Sequence, residues 1–432
     1  MTTDQNYQQI YRVGGMLDAG FVGQITYTIS LDQVYDELDI HFSFDKRLYS
    51  ESDVTPELID RLQTLCTAKY NAPTYPVEEF RQTILHEMKT EIHTMAELND
   101  DFIGCIHRQL TDRHMLYTKE FTSDGCLAQD TFSGVLKVTV LVFNVLLDNT
   151  QYTLTVSGHP VGQGVIAPNF NLMDTVKTAA GNAGASNAAG SADNSCDAES
   201  APASAVATTG SSGVSGAGSA ATAGDSSTTG SSSAGNTVTA STRFKRLELH
   251  NHTVESDGSL TCQELTEYLA ADHVDAFAIT DHNTTSGQKK IEQLLEEKHY
   301  PISLIRGMEY TTYFGHILCL NLAKYVPWNS IDQHHPELLF EAAREKGALV
   351  GIAHPFSYGD PFARGCRFEM TVSDYSKVDF IEIFNNPEPL HEVNERGTNL
   401  WMSLIFSGYQ ITATSGMDLH NRAKLAGCYA TY

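Results

Sequence analysis

The chain has no run of eighteen apolar residues, so a helical membrane span is not expected. Its opening, MTTDQNYQQIYRVGG, lacks the basic start and apolar stretch of a secretory signal, which makes a cytoplasmic location the default expectation. No Cys-x-x-Cys pair occurs. The eight cysteines (66, 105, 126, 196, 262, 319, 366 and 428) are scattered in a way that fits neither a zinc cage nor a small disulfide framework. Free, mostly buried thiols are expected instead. Basic residues are scarce as well. With 28 Lys and Arg against 53 Asp and Glu, the formal charge is −25, which repels phosphate backbones and disfavours tight binding to extended nucleic acid. A small anionic phosphate substrate stays compatible with this charge if bound cations supply positive potential locally. At 432 residues and 41% hydrophobic content the chain exceeds one ordinary domain and can fill two cores. Oligomeric state is not legible in it.

Three regions follow from composition. Residues 178–242 are mostly Ala, Gly, Ser, Thr and Asn, with no aromatic and little charge, and cannot bury enough apolar area to offset their ordering entropy. They read as a disordered linker. Before it, residues 1–177 read as a β-rich, sandwich-like accessory domain. Ile25, Tyr27 and Ile29 alternate, as do Leu38, Ile40 and Phe42, and FSGVLKVTVLVFNVLLDNTQYTLTVSG reads as two more strands. Residues 55–117 read as a helical insertion capped by Thr55, with Pro56 after it. The histidines of that insertion (His86, His93, His107 and His114) read as surface or packing residues. His86 and His93 would share a helix face but lack the i, i+4 spacing of a helical zinc motif.

Residues 243–432 change character. LELHNH, AFAITDH, SLIRGMEY, GHILCLNL, ALVGIAH, DFIEIFNN and QITATSGMD are seven candidate strands. Amphipathic helices at about 260–273, 286–298, 336–346 and 392–406 intervene. Repeated β-then-α units with continuous apolar strands predict an α/β fold with a parallel sheet or distorted barrel.

The strands end in ligand-type residues: His250 and His252, Asp281 and His282, Glu309, His354, and Asp418 and His420, while the fourth opens with His316. In α/β barrels the C-terminal strand ends converge on one face, so these residues are expected in one pocket. His250 and His252, like Asp418 and His420, lie two apart and point the same way along a strand. Imidazole suits zinc, manganese or iron, and a carboxylate can bridge two ions. With Asp257, the set is six histidines and three carboxylates, more than one ion requires. Two or three divalent metals are implied, which activate water as hydroxide and stabilise the attacking and leaving oxygens. Asp281 fits better as a support for His282 or a helix cap than as a ligand.

The motifs LHNHTVESDGSLT, AITDHNTTSG, GMEYTTYFGH, GIAHP and SGMDLHN resemble the PHP (polymerase and histidinol phosphatase) superfamily, and within it the CehA/McbA-like metallohydrolases. The resemblance implies a distorted seven-stranded (β/α) barrel with a trinuclear site. One ion would sit on His250, His252, Glu309 and Asp418, a second on Glu309, His316 and His354, and a third on Asp257, His282 and His420. Glu309, His354 and Asp418 would be central to catalysis. Such proteins hydrolyse phosphoesters, from small nucleotide phosphates to nucleic-acid 5′ ends, and some cleave carbamates. Leu419 stands where serine or alanine is usual, which should alter packing at the third ion. The resemblance also implies a closing helix beyond Tyr432, where this sequence stops.

Three functions are therefore carried forward. The first is a metal-dependent phosphoesterase acting on a small phosphate monoester or a nucleotide or oligonucleotide end, including 5′-3′ exonuclease-like action. The second is a carbamate, ester or amide hydrolase using the same ions, and the third a catalytically silent metal-binding module. Arg364 and Arg367, in the loop after His354, are the candidates to clamp a phosphate. In the same loop Tyr358 reads as packed on its neighbours. Lys289 and Lys290 read as helix surface. Asn385 and Asn386 are placed to orient a water or cap the next segment.

Overall fold

The computed structural model describes residues 7–46, 48–70, 74–146, 149–161, 244–385, 392–422 and 431, and the backbone of 172–178. The expected linker, save the backbone of residue 178, lies outside them, as do Cys196, Cys428 and Asn386. No helix among the described residues is long and apolar enough to cross a membrane.

The N-terminal part is built on β1 (Gln8–Leu17), β2 (Gly23–Phe44), β3 (Glu91–Leu98), β4 (Asp101–Ile106), β5 (Asp112–Tyr117), β6 (Phe132–Asn144), β7 (Thr150–Pro160) and β8 (Leu172–Thr178), with α1 (Pro56–Tyr70) and α2 (Val77–Glu87) inserted after β2. These strands are joined by hydrogen bonds into one continuous eight-stranded sheet. The cause is β2, 22 residues long. Its first half pairs with β6 and β8 and its second half with β7 and β5, changing partner across an irregularity at residues 31–35. The expected helical insertion is helical only through residue 87. Thr55 does cap α1, its Oγ1 accepting from Leu58 N at 3.3 Å. Beyond it, residues 91–117 carry the three strands β3, β4 and β5. Asn99 and Asp100 both adopt positive φ (52° and 67°) between the paired residues Leu98 and Asp101. That is the two-residue mirror-image turn a tight hairpin requires.

The C-terminal part contributes β9 (Leu247–Glu248), α3 (Cys262–Ala271), β10 (Ala276–Ile279), α4 (Ser286–Lys298), β11 (Ser303–Thr312), β12 (Gly315–Leu320), α5 (Glu337–Glu345), β13 (Leu349–Ile352), β14 (Phe380–Asn385), α6 (Glu392–Phe406) and β15 (Thr412–Gly416). The seven strands lie side by side in chain order. Bridges from Asn251 to Leu419 and from Leu247 to Thr431 draw the first and last strands together, leaving the sheet nearly closed. α3 starts at a capping box in which Thr261 and Glu264 satisfy each other's backbone.

The sheet is not wholly parallel. β12 runs against both β11 and β13. Only Tyr313 and Phe314 separate Thr312 from its partner Gly315, and two residues can close a hairpin but not a parallel crossover. Reversal puts the start of β12, and hence His316, at the edge where the parallel strands end. Glu309 pairs directly with Leu318, which belongs to a small buried cluster with Leu249, Ala278, Ala353 and Phe380. The alternate residues Met308, Tyr310, Ile317 and Cys319 face a larger core.

That larger core is shared. Met95, Phe102, Cys105, Leu141 and Phe143 of the N-terminal sheet pack in it with Tyr310, Tyr313, Trp328 and Phe340. The Phe102 and Tyr325 rings stack at 4.0 Å. At the same junction Gly125 donates its N–H to Glu255 Oε2 at 3.1 Å and accepts from Thr284 Oγ1 at 2.9 Å. Its φ is +81°, and a Cβ there would lie 2.3 Å from the Cys105 carbonyl oxygen. Gly125→Ala therefore combines left-handed strain with a backbone clash and should destabilise the protein by about 2 kcal/mol or more, lowering its thermal midpoint by roughly 4 °C or more. An unchanged midpoint by calorimetry would show that the two parts do not depend on this contact.

Candidate metal centre

All nine expected ligands meet in one place, and Glu309 lies at its middle. The end of β11 holds its carboxylate with no exposed surface. Oε1 lies 2.9 Å from His316 Nδ1 and 3.1 Å from His354 Nε2. Oε2 lies 3.1 Å from His250 Nε2, 3.0 Å from His282 Nδ1 and 3.4 Å from His252 Nε2. Asp418 Oδ1 adds contacts at 3.3 Å to His250 and 3.0 Å to His252. On the other side of His252, Asp257 Oδ1 lies 3.6 Å from His282 Nε2 and 3.3 Å from His420 Nε2.

Three overlapping groups have ligand atoms close enough together for one ion each: His250, His252, Glu309 and Asp418; His282, Glu309 and His316; and His252, Asp257, His282 and His420. The donor set fits divalent metal. His250 Nε2, both nitrogens of His252, Glu309 Oε2, His316 Nε2 and Asp418 Oδ1 are all buried without a hydrogen-bond partner. Orphaned polar atoms facing one another cost free energy unless a cation satisfies them. Exposure falls on Asp257, His420 and Asp418, with side chains 28%, 34% and 22% exposed. Solvent therefore approaches from that side. His354 and Asp418 both take positive φ, 24° and 50°, a strained backbone that commonly marks functional positions.

Burial and charge act against each other here. Burial alone would raise the Glu309 carboxyl, but the charges of His250, His316 and His282 outweigh it and hold the group well below the usual range. Asp418 is held down in the same way, by His250 and His420. Burial would lower His250, yet Asp418, Glu309 and Glu382 keep it well above an ordinary histidine. His252, buried beside His420 and His282, is pushed down to about 3.

Sequence reasoning missed the carboxylate that orients these ligands. Glu382, buried on β14, accepts from His250 Nδ1 at 3.0 Å and from the His354 backbone N–H at 2.9 Å. Asn385 in turn donates to Glu382 at 3.0 Å and pairs with Asn394 at the start of α6, so it supports and caps. A carboxylate behind a ligating histidine fixes its tautomer and ring direction. The signal was present as Glu382 in the middle of the apolar strand DFIEIFNN, where a charge needs a partner. Asp281 neither ligates nor holds His282: its oxygens accept from Thr253 N at 2.7 Å, Thr253 Oγ1 at 2.8 Å and Ser256 Oγ at 2.7 Å, which fixes the loop after His252. Leu419 is buried with Leu260, Leu265 and Phe277.

The basic candidates are engaged elsewhere. Arg364 pairs with Asp360 at 2.9 Å. The Arg367 guanidinium sits over the Tyr70 and Phe356 rings. Tyr358 packs edge-on against Tyr70 and bonds Glu392 at 2.7 Å. Lys290 is not plain helix surface, since it reaches Glu255 at 2.5 Å and Asp124 at 3.6 Å. The five cysteines 66, 105, 126, 262 and 319 are buried free thiols, and Cys366 is partly exposed.

Residues 7–160 match a family of unknown function, DUF6669. An uncharacterized protein of Methanocaldococcus jannaschii is 30% identical over 112 residues, covering 26% of this chain and 58% of that protein. A 5′-3′ exoribonuclease of Haemophilus influenzae is 32% identical over 150 residues, covering 31% of this chain and 50% of its own length. The chain thus spans about half the length of these curated relatives. A solved structure from Bacteroides vulgatus, described as a two-domain protein containing a predicted PHP-like metal-dependent phosphoesterase, is 18% identical, with 41% of this chain and 52% of that chain covered at a TM-score of 0.30.

One buried group gives a pH signature. Glu248 Oε1 accepts from Met417 N at 2.8 Å and His250 N at 3.4 Å, yet burial pushes its carboxyl up to about 8 from an ordinary 4.5. The folded protein therefore keeps a proton that the unfolded chain releases. The stabilising contribution is whole below about 4.5 and is lost as pH rises through about 8. Glu248→Gln keeps the acceptor and removes the titration. In metal-free protein its thermal midpoint should gain on the parent between pH 5 and pH 8. A constant difference across that window would show that Glu248 does not titrate this way.

Proposed function

We propose that this chain is a metal-dependent phosphoesterase of PHP type, close to the CehA/McbA-like group, hydrolysing a small phosphate monoester or a nucleotide or oligonucleotide end. The observation that carries the reading is Glu309, shared between two ligand groups whose other members, together with the adjoining His354, come from five other strands. Divalent ions bound there would supply Lewis acidity, a lowered water pKa and compensation for developing negative charge. The chain's own contribution is to hold that set rigid through Glu382 and the strand ends. It also buries His250, His252 and Glu309 away from bulk water, and leaves Asp257, His420 and Asp418 at the open side where substrate arrives. Likeness to a protein named as a 5′-3′ exoribonuclease supports a phosphodiester or phosphate end as substrate.

A second reading, hydrolysis of a carbamate, ester or amide bond, gains from the arginines. With Arg364 on Asp360 and Arg367 between Tyr70 and Phe356, neither is committed to a phosphate, so charge on the substrate would be met by the ions alone. A panel of chromogenic phosphate monoester, 5′-nucleotide, short oligonucleotide, carbamate and carboxyl ester, each assayed with manganese and with zinc, separates the two. Turnover of the phosphate substrates supports the first reading; turnover of the carbamate or ester alone replaces it with the second.

Glu309→Gln keeps the volume but removes the charge that several imidazoles and two ions would share. Bound metal should fall by at least one equivalent and kcat/KM by more than about a hundredfold. Full metal stoichiometry with a near-parental rate would remove Glu309 from the centre.

A further inference from the structure

The exposed end of the centre is touched by the N-terminal sheet. His107 follows directly on β4 and is 5% exposed. Its Nε2 lies 3.3 Å from Asp257 Oδ2, and its ring stacks on His282 with centroids 4.1 Å apart and planes 24° apart. Asp257 thereby divides its two oxygens: Oδ1 faces His282 and His420, and Oδ2 faces His107. The next residue also reaches this loop, Arg108 donating to the Gly258 carbonyl at 2.7 Å. Behind His107 lies a buried support. His93 packs against it with centroids 4.0 Å apart, and Gln109 donates to its carbonyl at 3.0 Å. His93 Nε2 is in turn 3.1 Å from Glu91 Oε1.

Asp257 needs such help. Its neighbours in the group form or adjoin the bridges Asn251–Leu419 and His282–Glu309, whereas Asp257 lies further along the loop between β9 and α3, where no sheet register fixes a side chain. A carboxylate with one free oxygen can swing out of line with its ion. A donor on that oxygen prevents this, which is why ligand carboxylates are hydrogen-bonded. A carboxylate oxygen only accepts, so the contact with Asp257 Oδ2 places a proton on His107 Nε2, while Nδ1 is buried without a hydrogen-bond partner.

We propose that His107 is a positioning residue for the third ligand group: by donating Nε2–H to Asp257 Oδ2 it aims Oδ1 at a divalent cation shared with His282 and His420, so that the N-terminal sheet completes the metal centre. The proposal rests on the metal-centre reading above and gives the sheet matched by DUF6669 a direct part in the site.

The test uses the full chain, stripped of metal and titrated with manganese chloride alone by isothermal calorimetry. His107→Phe keeps the stacked ring and removes the donor, and His107→Gln restores an N–H at a similar reach. In His107→Phe the affinity of one site should fall about ten- to a hundredfold while the remaining binding is unchanged. His107→Gln should recover to within about threefold of the parent. The thermal midpoint of the metal-free protein should be alike in all three, which a merely structural role would not allow. Parental manganese affinity in His107→Phe overturns the proposal, as does a glutamine variant as weak as the phenylalanine one. If the parent itself binds no manganese, the metal centre falls first, a result distinct from failure of His107 alone.

Discussion

The structure turns on one buried carboxylate. Glu309 is fully enclosed, and five imidazoles lie within 3.4 Å of its two oxygens. A single buried ionised group is very costly, and removing one partner of a buried pair typically costs about 3–5 kcal/mol. The strands around it are accordingly arranged to bring His250, His252, His282, His316 and His354 to the same point. The reversal of β12 serves this end, because only a strand running backwards can present its first residue among the last residues of its neighbours. Supports extend outward from there, with Glu382 behind His250, Asn385 behind Glu382, and Thr311 Oγ1 against His282 Nδ1 at 2.6 Å.

Much of this half was legible beforehand. The seven apolar runs became the seven strands, because each is short, β-rich and bounded by turn residues. His250, His252, His282, Glu309, His354, Asp418 and His420 follow or end those runs and converge because strand ends share one edge. The antiparallel course of β12 was also readable, since two residues between strands cannot build a crossover. Reading the β-then-α repeat as uniform hid it. Glu382 was hidden for a related reason: a charged residue inside an apolar run looks like an exception until the partner, 132 residues earlier in sequence, is brought beside it.

The N-terminal half was less legible. The alternation in β2 was visible, but the change of hydrogen-bond partner along it depends on pairing with β5, β6, β7 and β8, all far along the chain. Residues 91–106 carry mixed polarity, and their Asn99-Asp100 turn lacks the glycine that most often signals a hairpin. His93 and His107 then read as helix residues with no chemistry. With His93 on β3 and His107 just past β4, in a sheet that shares its core with β11 and β12, His107 stands against Asp257 and His282 and His93 packs behind it. Shared packing between distant segments is a tertiary fact, and local periodicity carries no trace of it.

The most direct measurement of the account is anomalous X-ray diffraction from crystals of the full chain grown or soaked with manganese. Two or three anomalous peaks are expected within the nine-residue cluster, at least two of them within coordination distance, roughly 2.0–2.3 Å, of the Glu309 carboxylate. A cluster without any peak, or a single ion bound away from Glu309, would contradict it.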